Sequence, residues 1–237
     1  MKILNLYACL GGNRYKWNEV KDDIEVTAIE LDPELARLYQ ERFPNDKVIV
    51  ADAHQYLLKH FKEYDFIWSS PPCPTHSIAR AYNSKYETKY PDMKLYEEII
   101  LLQTVSSGKN PRYKGKYVVE NVIPYYEPLI PAKKRGRHLY WTNFNLPYNL
   151  GKRKINIGSN KKQAKTKVIN HEFKNLCKFH DYDFTKYKGK QKNDKIARNL
   201  VDYEVGKTIF ETMLGVVSKK EDNQTELFTN GVMLKNN

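Results

Sequence analysis

Residues 68–77 read Trp-Ser-Ser-Pro-Pro-Cys-Pro-Thr-His-Ser. Cys73 stands between prolines, which fix the backbone, directly after the apolar run Tyr64-Asp65-Phe66-Ile67-Trp68. A thiol held rigidly just past a strand end lies where α/β enzymes display their reacting groups. A second apolar run, Val118-Val119, ends in the acid Glu120 and the amide Asn121, and Arg135-Gly136-Arg137 precedes a third. A nucleophile, an acid and paired guanidiniums, all at strand ends, form a candidate set for covalent catalysis. Cys9 and Cys177 lie in no comparable loop and read as inert thiols.

These groups need a frame. Residues 3–7 read as a buried strand running into Gly11-Gly12, a turn at which backbone can approach a ligand. Further strands are expected over 25–31, 47–50, 64–69, 117–120 and 138–144. Glu30 lies at the end of the second and Asp52 just past the third. Asp32-Pro33-Glu34 starts a helix, with Asp32 as N-cap and Pro33 in the first turn. A second helix is expected over 92–105, and helical periodicity returns from Ile196 through Val201, Val205, Ile209 and Met213. Strands alternating with helices predict an α/β fold, a parallel sheet with helices on both faces.

From about residue 149 to 195 the apolar periodicity fades. This stretch holds 14 basic and 4 acidic residues, so it supplies most of the chain's net charge of +12. Aromatic residues are interleaved there. Such a charge favours a polyanionic partner, DNA or RNA, without choosing between them; a solvated basic surface is the plainer alternative. No apolar run approaches the ~20 residues of a membrane span. The three cysteines are odd in number and far apart, with neither a disulfide framework nor a zinc spacing. A reducing cytoplasm is the expected setting, and no metal site is expected.

In this order the motifs resemble the cytosine-5 DNA methyltransferase family, over about residues 2–144 and 196–214. The resemblance implies a Rossmann-like catalytic domain over 1–148 and 196–217, a small basic target-recognition insert over 149–195 and a flexible tail over 218–237. It implies S-adenosylmethionine as cofactor, held by Tyr7, Ala8, Gly11, Gly12, Glu30, Leu31, Asp52, Ala53, Pro71 and Asn199. Glu30 would accept the ribose hydroxyls and Asp52 an adenine amino proton. It also implies that Cys73 adds to carbon 6 of cytosine, that Glu120 protonates ring nitrogen 3 and that Asn121 positions the loop. Arg137 would bind cytosine oxygen 2, and Arg135 would hold the catalytic loop or the cofactor side.

Three positions depart from the family pattern: Cys9 replaces a glycine, Pro74 a glutamine and His76 an aromatic. A base inside a duplex must be flipped out before a thiol can reach it. Arg80 and Lys85, in the loop after Cys73, and Lys161, Lys162 and Lys165, in the insert, are the expected DNA contacts. The compactness of the chain resembles a phage or mobile-element enzyme more than a large restriction–modification partner. A tRNA cytosine-5 methyltransferase and a non-catalytic DNA-binding relic are the competing readings. In the tail, Gln224-Thr225-Glu226-Leu227-Phe228 resembles the peptides that dock bacterial sliding clamps through Gln224, Leu227 and Phe228; chance, or folding back onto the catalytic domain, is the alternative.

Overall fold

The computed structural model describes residues 1–78, 90–108, 111–155 and 165–216, with no side-chain description over 165–171. Arg80, Lys85, Lys161 and Lys162 therefore lie outside the described residues, as does the tail with Gln224, Leu227 and Phe228. Lys165 starts a helix, but its side chain is also outside the description.

The strands are β1 (Lys2–Leu6), β2 (Glu25–Glu30), β3 (Lys47–Val50), β4 (Phe66–Ser69), β5 (Lys116–Val122), β6 (Lys133–Arg135) and β7 (His138–Thr142). The helices are α1 (Trp17–Val20), α2 (Pro33–Arg42), α3 (Ala53–His60), α4 (Lys94–Ser106), α5 (Lys165–His180), α6 (Asn193–Asn199) and α7 (Tyr203–Leu214). The strands form one sheet in the order β3-β2-β1-β4-β5-β7-β6. Chain order reverses beside β1, which pairs in parallel with both β2 and β4. Such a switch point opens a crevice at the carboxyl ends of the strands.

The expectation of a parallel sheet holds from β3 to β5 and fails at the other edge. β7 runs antiparallel to β5, and β6 antiparallel to β7. The reason is connection length. Only Gly136 and Arg137 separate β6 from β7, and two residues can join strands only as a hairpin. The sequence reading gave β6 no strand, because Lys133-Lys134-Arg135 carries no apolar alternation. A short charged strand is an ordinary way to blunt a sheet edge.

Side-chain alternation along the strands sends neighbours to opposite faces. Leu4, Ile67 and Val119 pack with Leu57, Ile99 and Leu102 of α3 and α4. Ile3, Phe66 and Val118 pack with Trp17 of α1 and with Val205, Ile209 and Phe210 of α7. A third buried cluster joins Leu10, Leu35 and Leu38 to Leu176, Phe184 and Tyr187, so the basic 149–195 stretch shares a core with the first half of the chain. Among the described residues no helix is long and apolar enough to cross a membrane.

Candidate active site

A cavity of about 920 Å³ opens over the ends of β1, β2 and β4. Tyr7, Ala8 and Gly12 line it from the first turn, Glu30 and Leu31 from the end of β2, and Asp52 and Ala53 from the end of β3. Pro71 and Asn199 line it from the catalytic-loop side and from α6. Gly11, the remaining expected cofactor residue, turns away: a side chain there would meet Phe43 and Tyr39. Gly12 is packed to the limit, since a Cβ would stand 2.3 Å from the Val201 carbonyl oxygen. Thus the segment after α6 returns to close the cavity against the glycine turn.

The carboxylates of this cavity are held differently. Glu30 is buried and accepts from the backbone N–H of Cys9 at 2.8 Å and of Asp32 at 2.9 Å. Burial pushes its carboxyl upward despite these bonds. Asp52 caps α3, accepting from the Gln55 N–H at 3.0 Å, and its other oxygen faces the Lys94 ammonium at 3.4 Å. The Gln55 bond and Lys94 keep its carboxyl low. Cys9 adopts φ +48°, a left-handed conformation that explains why a glycine suits this position. Burial, with Glu30 close by, pushes its thiol up to about 12, in keeping with an inert group.

Beside the cavity lies the chemical edge. Cys73 is half-buried, and its carbonyl accepts the N–H groups of His76 and Ser77, both at 3.0 Å, which folds the loop tightly. Asn121 donates to the Pro71 carbonyl at 3.0 Å and so ties the cysteine loop to β5. Ser70 donates to Glu120 Oε2 at 2.8 Å and accepts from the Trp68 indole at 2.8 Å. Burial raises the Cys73 thiol, and the Glu120 charge raises it further, so the two groups lie within electrostatic reach.

Arg135-Gly136-Arg137 forms the β6–β7 hairpin. Arg137 is exposed at its tip. Arg135 turns elsewhere: its guanidinium donates to the carbonyls of Pro147 at 2.6 Å and Leu146 at 2.9 Å and lies over the Tyr148 ring. Its described contacts are therefore with the strand-exit loop, not with the cysteine loop or the cofactor side.

Three neighbours of the site were given no role by the sequence reading. His138 brings Nε2 to 3.6 Å from Glu120 Oε1, diagonally across the β5–β7 ladder. Burial lowers its imidazole, which favours the neutral form. His76, one of the departures from the family pattern, is buried and meets the Tyr126 hydroxyl at 2.5 Å, so it anchors the cysteine loop. Glu98 of α4 is fully buried in its side chain and accepts from Tyr7 at 2.5 Å and Ser69 at 2.6 Å, with His54 Nδ1 at 3.1 Å. One carboxylate thus links the first turn to the strand that carries the cysteine loop. Glu98 lies within an apolar helix, and an acid on that buried face was the available signal.

The fold is the Rossmann-like fold of S-adenosylmethionine-dependent methyltransferases. Schizosaccharomyces pombe Dnmt2 methyltransferase shares it at 12% identity, over 92% of this chain and 100% of that one, with a TM-score of 0.52. Residues 1–109 match the model of the family described as C-5 cytosine-specific DNA methylase, in line with the motif resemblance. A mutant of Spodoptera frugiperda DNMT2 is 23% identical over 51% of this chain, with a TM-score of 0.34. The match covers 35% of that protein, about a third of its length. A TehB-like S-adenosylmethionine-dependent methyltransferase from Corynebacterium glutamicum is 13% identical over 60% of this chain and 78% of that one, with a TM-score of 0.36. No curated protein matches the chain.

Proposed function

We propose that this protein methylates carbon 5 of cytosine in duplex DNA, using S-adenosylmethionine. The observation that carries the reading is the placement of the Cys73 loop and Glu120 beside a cavity whose far wall holds Glu30 and Asp52. The cavity suits the cofactor in size and chemistry. It falls within the usual range for a small-molecule site. A buried carboxylate, a second at a helix start and a glycine turn offer acceptors and close backbone to a nucleoside.

S-adenosylmethionine supplies an electrophilic methyl group when bound. Glu30 and Asp52 orient the nucleoside from the ends of β2 and β3. Cys73, once deprotonated, adds to carbon 6 of a flipped cytosine, forming the S–C bond. Glu120, which takes up a proton as Cys73 loses its own, gives it to nitrogen 3, which takes up the displaced ring electrons and makes carbon 5 nucleophilic. Once carbon 5 carries the methyl group that the cofactor would supply, loss of its proton to solvent expels the Cys73 thiolate, and nitrogen 3 returns its proton to Glu120, leaving 5-methylcytosine. Asn121 and Ser70 keep the acid and the thiol in register, since they tie both to the segment 70–73. Arg137, exposed beside the site, is the guanidinium available for cytosine oxygen 2.

The family description supports DNA as substrate, and the +12 charge supports a polyanionic one without choosing between DNA and RNA. The test is methyl transfer from labelled S-adenosylmethionine to duplex DNA and, in parallel, to folded RNA, with bisulfite sequencing of the DNA. Transfer to DNA with conversion-resistant cytosines is expected. Transfer to RNA alone would replace DNA with RNA as the substrate, and no transfer to either would defeat the reading.

A further inference from the structure

The cofactor cavity has one wall that the motifs do not supply. Gly189, Lys190 and Gln191 line it, although they come from the basic stretch expected to meet nucleic acid. They are held there by a compact set of bonds. Tyr187 is buried, donates to Asp32 Oδ2 at 2.6 Å and accepts from the Gln191 N–H at 3.1 Å. The Gln191 side chain donates to the same Asp32 oxygen at 3.3 Å, and the Lys188 N–H reaches Glu34 at 3.4 Å. The other oxygen of Asp32 caps α2. The segment therefore rests on the helix start that directly follows Glu30 and Leu31.

Gly189 makes this path available. A Cβ there would stand 2.2 Å from the Tyr187 hydroxyl and 2.4 Å from its ring. The chain doubles back so closely over Tyr187 that a side chain would displace it. Leu31 also lines the cavity and is 68% exposed. A large apolar side chain that open, in a cavity also lined by polar groups of the strap, suits a flat heteroaromatic ring.

We propose that residues 187–191 belong to the cofactor site and cover the nucleoside half of S-adenosylmethionine. Gln191 and Lys190 line the nucleoside half of the site together with Leu31. Tyr187 is a positioning residue that fixes them through Asp32. This inference rests on the cofactor reading above and adds a binding role for the basic segment.

The test is calorimetry of the full chain with two ligands. S-adenosylhomocysteine carries both halves of the cofactor, and 5′-methylthioadenosine carries only the nucleoside half. Tyr187→Phe removes just the hydroxyl and should weaken both ligands by about fivefold, the scale of one lost hydrogen bond. Gln191→Ala, at an exposed position, should weaken both while leaving the thermal midpoint of the ligand-free protein unchanged. Hydrogen exchange at 187–191 should slow when either ligand binds. Wild-type affinity for both ligands in both variants overturns the inference while the cofactor reading stands. Weakening confined to S-adenosylhomocysteine overturns the nucleoside assignment. Failure of the wild-type protein to bind either ligand defeats the cofactor reading and this inference together.

Discussion

The two ends of the cavity are built on opposite principles. At the cofactor end, the groups that would meet a ligand are already satisfied by backbone. Glu30 holds two amides, Asp52 caps a helix and Asp32 caps another. These elements are strand ends and helix starts joined to dense clusters. At the proposed chemical end, the candidate reacting groups are held through intermediaries. Ser70 braces Glu120, Asn121 braces the loop and His76 anchors it through Tyr126. The thiol there is also kept in its protonated form by burial and by its acid neighbour. A cofactor pocket gains from preorganisation, because any freedom must be lost on binding. A nucleophile that stays protonated until substrate arrives is protected from adventitious alkylation and oxidation.

The largest test of this contrast is Cys73→Ala. It should reduce methyl transfer by at least ~10³-fold, since covalent catalysis is lost altogether. S-adenosylhomocysteine affinity should be unchanged, because the cofactor end does not depend on the thiol. Duplex DNA carrying 5-fluorocytosine should be trapped covalently by the wild type and by Cys9→Ala and Cys177→Ala, but not by Cys73→Ala. A trapped adduct with Cys73→Ala would remove Cys73 as the nucleophile.

Next in size is Glu120→Gln, which should lower transfer by roughly 10²-fold through loss of the proton donor. The same change removes a negative charge beside Cys73. The thiol pKa should therefore fall, and iodoacetamide should label Cys73 faster at a fixed pH near 8. In the wild type the labelling rate should keep climbing with pH past the range of a free thiol. Slower transfer with unaltered labelling would show that the two groups are not electrostatically coupled.

At the cofactor end, Glu30→Ala should weaken S-adenosylhomocysteine by ~1–3 kcal/mol, as for a buried acceptor whose partners are left unpaired. Asp52→Ala should cost less affinity, and about 1 kcal/mol of stability through the lost cap. Calorimetry and denaturant melts separate the two contributions. Equal losses of affinity and stability at both positions would erase the distinction between ligand acceptor and cap.

The smallest expected effect is at Cys9. Its φ of +48° is strained for any residue with a side chain. Cys9→Gly relieves that strain but gives up a buried thiol and adds chain entropy to the unfolded state. The balance should fall within about 1 kcal/mol in denaturant midpoint, with cofactor affinity retained. A loss beyond ~2 kcal/mol would mean that thiol packing outweighs the backbone conformation.

Much of the cavity wall at the ends of β1, β2 and β3 was legible before the structure. Glu30 and Asp52 announce themselves as acids at the ends of apolar runs, and Asp32-Pro33-Glu34 as a helix start, because these signals are local. Nine of the ten residues expected around the cofactor line the cavity. Gly11 is the exception: its part in the turn was readable, but the direction it faces was not. The chemical end was legible only in its types. Arg135 and Arg137 look equivalent in sequence, yet a hairpin turn sends one to the Leu146–Pro147 carbonyls and exposes the other.

The sequence by itself determined the helix caps, the parallel strands and the chemical identity of the candidate set, since each depends on residues a few positions apart. Only the tertiary structure decided that β7 and β6 close the sheet as an antiparallel hairpin. It alone set His138 beside Glu120, made Glu98 the tie between the cofactor turn and the cysteine strand, and docked Tyr187 on Asp32 across 155 positions. Such pairings depend on which strand lies next to which and on which way each side chain turns. Those are properties of the packed sheet, and no short stretch of the chain encodes them.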